Sequence, residues 1–279
     1  MRRQVKAAEV KRELVAGQST ALLKELHLLT REGDLNADSL RKLKQVNHLV
    51  RQLAPAVEDV LSRFGDPVVV DCGAGKGYLG FILHELFVGP AAKGTIVSVE
   101  SRPELTAAAE ERARRLGFGR MRFVTAELES AELPPRVHLV TALHACDTAT
   151  DDALALAIRH NADHVAVVPC CQAEVARQLE RAKDASPLLA PLHEHAWHRR
   201  EFGSHLTNVV RALALEAHGY RVTVTELAGW EHSLKNELIL GKKVRARDEA
   251  ARARLDALLA AAGVRPKLVR LLDQPHPGV

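Results

Sequence analysis

The sequence predicts an α/β fold built on a seven-stranded sheet, and three observations lead to that expectation. From Pro67 onward, short β-rich runs alternate with helical patterns. The first five runs are almost continuously apolar, which is typical of parallel strands buried on both faces. Only the short segment "AGWEHSLKN" separates the last two runs. Because that segment is too short for a crossover, the last strand should run antiparallel.

The element order follows from these patterns. We expect strands at 67–71, 94–100, 121–126, 137–143, 164–169, 220–227 and 236–243. Helical patterns occupy 78–87, 102–117, 148–161, 172–183 and 206–219. This order is that of a Rossmann-like sheet whose final strand is antiparallel.

Helical segments flank the sheet. Residues 4–30 and 38–63 have apolar positions at helical spacing, and Asn36 or Asp38 could cap the second helix. One or two short helices follow Val244. We therefore divide the chain into a helical N-terminal cap (1–65), a sheet domain (66–245) and a C-terminal helical extension (246–279).

Composition bounds the protein class. A chain of 279 residues that is 47% hydrophobic can bury one large core. No run approaches the ~20 apolar residues of a membrane helix, and the first residues lack the apolar region of a secretory signal. Four cysteines without a regular framework favour a reducing compartment. We expect a cytoplasmic protein without membrane contact.

Charge is concentrated at the two ends. Residues 1–51 carry eleven Lys/Arg against six Asp/Glu, and residues 242–270 carry nine against three, although the net charge is only +4. Basic ends favour a polyanionic partner such as RNA, because clustered cations displace counterions from phosphates. Solvated helix faces explain the same charges equally well.

A glycine-rich turn follows the first strand in "DCGAGKGYLG". Asp71 ends the strand, and Gly73, Gly75 and Gly77 form the turn before a helix that starts near Tyr78. Glycine suits such a turn because it adopts positive φ and lets a ligand approach the backbone. The sequence therefore predicts a nucleotide-type cofactor here.

Two common phosphate-binding patterns do not fit this turn. A Walker loop needs Ser or Thr after Lys76, and a dinucleotide loop needs Gly or Ala where Tyr78 stands. The spacing Asp-x-Gly-x-Gly-x-Gly instead resembles motif I of class I S-adenosylmethionine (SAM) methyltransferases. The resemblance implies a class I methyltransferase sheet and SAM as the cofactor.

Two acids extend this resemblance. Glu100 ends the second strand, where a carboxylate can accept both ribose hydroxyls of the cofactor. Glu127 follows the third strand, where the family usually places an acid or amide near the adenine amino group. A solvated loop acid is the alternative for Glu127.

The fourth and fifth strands are followed by "LHACDTATDD" and "VPCCQ". Ligands of open α/β sheets bind beyond the carboxyl ends of the strands. We therefore expect six side chains to lie at one rim beside the cofactor, namely Cys72, His144, Cys146, Asp147, Cys170 and Cys171.

These motifs, with "EHSLKN" before the last strand, resemble a narrower methyltransferase family. One branch contains the acceptor-stem tRNA 2′-O-ribose methyltransferases; another contains proteins fused to a glutathione-transferase C-terminal domain. The resemblance spans roughly residues 40–244 and includes H-x-C-x-x-A-T-D followed by a Cys-Cys pair. The tRNA branch has histidines after that pair, whereas this chain has Gln172 and Ala173.

Four interpretations of Cys170 and Cys171 remain open. They could be small structural residues, metal ligands, a nucleophile for pyrimidine methylation, or a wall that contacts the substrate. Adjacent residues on a strand point to opposite faces, so we assign no metal site. We expect both cysteines to contact the substrate without covalent chemistry.

Methyl transfer requires alignment of the acceptor and, for a hydroxyl, removal of a proton. His144 and Asp147 are the candidates for that work, although His144 could instead fix its loop and Asp147 could cap the following helix. Lys44 resembles a basic residue that the family places ahead of motif I, and we expect it to contact the substrate. Its alternative is an exposed helix lysine.

Between strands five and six, "HEHAWHRREFGSH" (193–205) combines histidines, Trp197 and two arginines. Such a mixture suits stacking on a base and binding of phosphate. Two alternatives are a lid loop without a binding role and a metal site that uses the histidines. We predict a SAM-dependent methyltransferase that acts on RNA, either tRNA or rRNA, at a ribose or a base. The alternatives are a small-molecule or protein methyltransferase and a SAM- or RNA-binding module without catalysis.

Overall fold

The computed structural model describes residues 13–30, 37–143, 145, 147–169, 172–182, 189–227 and 237–274. Seven strands form one sheet in the order β3-β2-β1-β4-β5-β7-β6. Their bounds are Val68–Cys72 (β1), Thr95–Glu100 (β2), Met121–Thr125 (β3), Leu139–Leu143 (β4), His164–Val168 (β5), Tyr220–Glu226 (β6) and Glu237–Lys243 (β7). All seven predicted strands are present, and the predicted fold class is confirmed.

Strand direction also follows the prediction. β2 runs parallel to both β1 and β3, with Val70 opposite Val97 and Ser98 opposite Phe123. β7 runs antiparallel to β5, with Val167 opposite Ile239. All five residues of β5 are buried, as expected of an apolar strand inside a sheet.

Ten helices occur in the described residues when the two short turns that follow the third helix, one of them π-helical, are counted as part of it. Their bounds are Thr20–Glu25 (α1), Ala37–Arg63 (α2), Tyr78–Leu83 (α3), Pro103–Leu116 (α4), Ala149–Arg159 (α5), Glu174–Arg181 (α6), Ala190–His193 (α7), Ala196–Ala217 (α8), Glu249–Ala262 (α9) and Lys267–Asp273 (α10). The π-helical turn His84–Val88 extends α3, and a last turn covers Gly89–Ala91. The two final helices agree with the expected C-terminal helices.

The prediction of one helix over residues 4–30 is wrong within its described part. Gly17 adopts a φ of +88°, which interrupts the helix, and the Ser19 side chain then caps α1 by accepting a hydrogen bond from the Leu22 amide. Residues 4–12 lie outside the described residues. The second helix is confirmed as α2, but it begins at Ala37, so Asp38 is not its cap; Asn36 lies outside the described residues.

The expectation of a loop over residues 193–205 is also wrong. Residue 193 ends α7 and α8 begins at Ala196, ten residues before the predicted start of that helix. Ala, Arg and Glu in this segment are good helix formers, so intrinsic propensity supports the extension.

The chain divides into two compact units, and the boundary passes through β4. One comprises 1–139 and 226–236, the other 140–225 and 237–279. Apolar residues of α2, β1 and β2 fill the first core, and residues of β5, α5 and α8 fill the second. The three-part division at 65 and 245 stays a prediction. Within the described residues, no helix is long and apolar enough to cross a membrane.

Candidate functional site

The glycine-rich turn has the backbone geometry that its sequence requires. Gly73, Gly75 and Gly77 have φ values of +61°, +57° and +76°, which L-residues rarely adopt. The Ala74 amide donates to the Val99 carbonyl at 3.0 Å, and the Gly77 amide donates to the Ala74 carbonyl at 2.8 Å. The turn is therefore a fixed loop between β1 and α3.

A fourth glycine brings α3 close to the sheet. A Cβ atom at Gly80 would lie 3.2 Å from the Ser98 hydroxyl and 3.4 Å from Asp71 Oδ2. Asp71 is itself only 2% exposed. Helix α3 thus packs directly against β1 and β2 and holds its first turn at the end of β1.

Glu100 lies against the glycine-rich turn. Its Oε2 accepts a hydrogen bond from the Gly75 amide at 2.8 Å, and its Oε1 accepts one from Arg102 Nε at 2.7 Å. Burial by itself would raise the pKa of Glu100, but the hydrogen bonds from Arg102 and Gly75 outweigh burial and hold the pKa below its usual value. An ionised carboxylate beside glycine amides fits a ligand with a ribose diol.

Glu127 and Lys44 are both solvent-accessible. Glu127 is exposed just beyond β3, and its carbonyl accepts a hydrogen bond from the Ser130 amide at 3.1 Å. Lys44 lies on α2 with its Nζ 3.3 Å from Glu13 Oε1, and its side chain is 46% exposed. The roles of both residues stay predictions.

Four of the residues assigned to the substrate side, His144, Cys146, Cys170 and Cys171, lie outside the described residues. Cys72 is described and is fully buried at the end of β1. The structure does describe residues next to them in both loops, namely Ala145, Asp147, Pro169 and Gln172.

Asp147 connects the loops that follow β4 and β5. It adopts a left-handed φ of +48°. Its Oδ1 accepts a hydrogen bond from the Ala173 amide at 3.1 Å, and its Oδ2 lies 3.7 Å from Arg177. Thr148 occupies the N-cap position of α5. The alternative that Asp147 caps α5 is therefore wrong.

Buried polar contacts hold the loop after β4. The Thr150 hydroxyl donates to the Ala145 carbonyl at 2.7 Å, and Arg211 Nη2 donates to the Asp147 carbonyl at 2.9 Å. Arg211 Nε also donates to Asp151 Oδ1 at 2.8 Å, and both side chains are at most 2% exposed. Burial raises the pKa of Asp151, and the Arg211 charge opposes this effect.

The end of the loop after β5, at Gln172, is held by α8, the helix that carries Arg211. Ser204 Oγ donates to Gln172 Oε1 at 2.7 Å, and Gln172 Nε2 donates to Asn208 Oδ1 at 3.2 Å. Asn208 Nδ2 donates to Glu237 Oε2 at 2.9 Å, and Arg211 Nη1 donates to Asn208 Oδ1 at 3.1 Å. We call Ser204, Asn208 and Arg211 the polar face of α8.

Sequence reasoning missed this polar face, although a signal was present. Ser204, Asn208 and Arg211 recur at spacings of four and three in the stretch "SHLTNVVR", which places them on one side of a helix. Such a pattern inside a buried helix indicates partners in the core, because buried polar groups are almost always hydrogen-bonded.

The segment 193–205 contains both buried and exposed side chains. His193 is 3% exposed, whereas Trp197 is 60% exposed, with the Arg200 guanidinium 4.3 Å from its ring centroid. Among the described residues no group of three His, Cys, Asp or Glu side chains could hold a metal ion.

Most of the C-terminal cations are paired with carboxylates. The nearest carboxylate oxygen lies within 3.1 Å of each of six among the nine Lys/Arg of residues 242–270, namely Arg245, Arg252, Arg254, Arg265, Lys267 and Arg270. These pairs reduce the positive potential that the sequence suggested at this end.

A family model described as a methyltransferase domain matches residues 41–178. Two curated relatives are glutathione S-transferase C-terminal domain-containing proteins. The protein from Bos taurus is 26% identical over 232 residues, covering 76% of this chain and 35% of the relative. The protein from Xenopus laevis is 26% identical over 235 residues, covering 76% and 36%. This chain thus spans about a third of the length of these relatives.

Among solved structures, an rRNA methylase from Streptococcus thermophilus aligns with a TM-score of 0.47 and 10% identity. The alignment covers 70% of this chain and 96% of the methylase. The family match and the relatives confirm the predicted resemblance, and the chain has the fold of a SAM-dependent methyltransferase.

Proposed function

We propose that this chain is a SAM-dependent methyltransferase whose acceptor is RNA. The observation that carries the cofactor assignment is the contact between Glu100 and Gly75. A buried, ionised carboxylate lies 2.8 Å from an amide of the glycine-rich turn. On SAM binding, Glu100 would accept hydrogen bonds from the ribose hydroxyls, while Asp71 and the three glycines hold the rest of the cofactor.

SAM supplies a methyl group on a sulfonium, which needs no further activation. The chain has to align the acceptor and remove a proton where the acceptor is a hydroxyl. The Asp147 carboxylate is already engaged with Ala173 and Arg177, so we assign proton removal to His144 and loop fixation to Asp147. Cys170, Cys171 and Lys44 contact the acceptor in this proposal without covalent chemistry.

The RNA assignment is supported by the exposed Trp197–Arg200 pair. An exposed ring beside a guanidinium suits stacking on an unpaired base next to a phosphate. The carboxylate partners of the C-terminal cations favour a second candidate, a methyltransferase for a small molecule or a protein.

The cofactor assignment is tested by calorimetric titration of SAM into Glu100→Ala. Loss of a buried hydrogen-bonding acceptor should weaken binding by ~1–3 kcal/mol. Glu111→Ala is the matched control, because Glu111 is an exposed acid on α4 whose contacts are with Arg114 and Arg115. Unchanged SAM affinity in a folded Glu100→Ala protein would rule out this cofactor site.

The acceptor is tested with radiolabelled SAM and total RNA from cells that lack the gene. We expect label in RNA, and nucleoside mass spectrometry of that RNA then identifies the modified atom. Label in protein or in small metabolites, with none in RNA, would replace the RNA proposal with the second candidate.

A further inference from the structure

The proposed chemistry uses His144 and Asp147 of the motif "HACDTATDD" but leaves Thr150 and Asp151 without a role. Both are buried: the Thr150 hydroxyl donates to the Ala145 carbonyl of that loop, and Asp151 accepts from Arg211, which in turn donates to the Asp147 carbonyl. We propose that Arg211, acting with Thr150 and Asp151, is a positioning residue that sets the geometry of the loop after β4 for methyl transfer. This inference rests on the proposed function.

The loop after β4 is held at the residues on either side of Cys146 in the sequence. The Ala145 carbonyl accepts from Thr150 at 2.7 Å, and the Asp147 carbonyl accepts from Arg211 at 2.9 Å. Asp147 has a φ of +48°, which costs a non-glycine residue of order 1–2 kcal/mol. Such a conformation persists where the surrounding contacts determine it, as they do here.

The same network of contacts extends to the loop after β5. Asp147 accepts from the Ala173 amide, and Asn208 Oδ1 accepts from both Gln172 and Arg211. The polar face of α8 therefore binds Asp147, three residues after the proposed base His144, and Gln172, which directly follows the cysteine pair. A change at Arg211 would be transmitted to both loops.

The buried ion pair of Arg211 and Asp151 does more than add stability. A buried pair is often no more stable than apolar residues of the same volume, so its presence is weak evidence for stability. Arg211, however, also binds a backbone carbonyl, which an apolar side chain cannot do. Misplacement of a catalytic group by about 1 Å can lower the rate ~10²-fold. The contact between Arg211 and the Asp147 carbonyl can therefore matter more for the rate of methyl transfer than for stability.

The test compares Arg211→Met/Asp151→Leu with a matched control, Arg159→Met. The double variant replaces both charges with apolar groups of similar volume, so folding is retained while the Asp147 carbonyl loses its donor. In the control, the lost contact is from Arg159 to the Leu271 carbonyl, an Arg-to-carbonyl hydrogen bond of 2.7 Å at the other end of α5. Three quantities are measured: single-turnover methyl transfer at saturating SAM, SAM affinity, and amide hydrogen exchange.

We expect the double variant to transfer methyl groups about 100-fold more slowly. SAM affinity should stay within about twofold, and amide exchange in residues 143–152 and 169–175 should accelerate by at least about tenfold. The control should match the wild type in all three. Arg211→Lys, which keeps a charge beside Asp151 but cannot reach all three acceptors, should recover more stability than rate.

Wild-type exchange in both loops of the folded double variant would overturn the inference, as would a wild-type transfer rate. The exchange measurement does not depend on activity. If the wild type transfers no methyl group to any acceptor, the proposed function fails, and faster exchange would still show that Arg211 sets the loop geometry.

Discussion

The turn after β1 and the loops after β4 and β5 are built in different ways. Contacts in the first region are between near neighbours in sequence, such as Gly77 to Ala74, or reach forward to Glu100 and, in an exposed hydrogen bond with the Lys76 carbonyl, to Arg112. Contacts in the second region join distant segments: Arg211 is 60 residues from Asp151, and Gln172 is 36 residues from Asn208.

The two regions also differ in the burial of the arginine that pairs with each acid. Glu100 binds Arg102, whose side chain is 59% exposed and can move away when a ligand offers hydroxyls. Arg211 is 1% exposed and its guanidinium donates to Asp151, Asn208 and the Asp147 carbonyl. The first region can exchange partners on binding, whereas the second maintains a fixed geometry.

The largest difference that we expect between the two regions is in the loss of stability when each arginine is replaced by alanine. Arg211→Ala should lower the free energy of unfolding by ~3–5 kcal/mol, because it leaves Asp151 buried without its counter-charge. Arg102→Ala removes a side chain that is 59% exposed and leaves Glu100 its hydrogen bonds from the Gly75 and Arg102 amides, so it should cost no more than about 1 kcal/mol. Urea denaturation of both variants measures this difference.

The Arg211→Ala loss should shrink at acid pH, because burial already raises the pKa of Asp151 and the unpaired acid would take up a proton. Equal losses for Arg102→Ala and Arg211→Ala would show that the contrast between the two regions is not energetic.

A smaller contrast is expected from two helical glycines. A Cβ at Gly203 would lie 2.8 Å from the Ala176 backbone nitrogen, so α8 and α6 would have to separate, and Gly203→Ala should cost ~1–3 kcal/mol. A Cβ at Gly80 would meet a side-chain oxygen at 3.2 Å, and the gain in helix propensity of ~1 kcal/mol offsets that contact. Thermal unfolding should therefore place Gly80→Ala near the wild type. A Gly203→Ala protein as stable as Gly80→Ala would contradict the close approach of the two helices.

The smallest expected effect is a pH dependence that originates in the first unit. His84 is 6% exposed and stacks on Phe118 at 4.2 Å, and among the described residues its ring nitrogens have no hydrogen-bond partner. Burial, assisted by the Arg120 charge, lowers its pKa below 6.5. Unfolding therefore takes up a proton below pH 6.5, so stability should fall as the pH decreases from there.

The slope from His84 cannot exceed about 1.4 kcal/mol per pH unit. His84→Leu should flatten the profile in part, because burial of His218 lowers the pKa of that residue as well. Chemical denaturation between pH 7 and pH 5 provides the measurement, and an unchanged slope in His84→Leu would exclude His84 as the source.

The sequence by itself determined the sheet, the reversed last strand and the turn that follows β1. These features are local: alternation of apolar runs with helical patterns, a connection too short for a crossover, and glycines where positive φ is needed. Glu100 could be found in the same way, because it ends a predicted strand at the distance from the glycines that a ribose-binding acid requires.

Only the tertiary structure decided the pairing of Arg211 with Asp151 and with the Asp147 carbonyl. The spacing of Ser204, Asn208 and Arg211 marks one helix face, but their partners lie 29 to 64 residues away and depend on how α8 packs. The same holds for the break at Gly17 ahead of α1 and for the burial of His193 near an exposed Trp197. Local patterns specify backbone conformation, whereas the identity of a buried polar partner depends on which distant segment packing brings within about 3 Å.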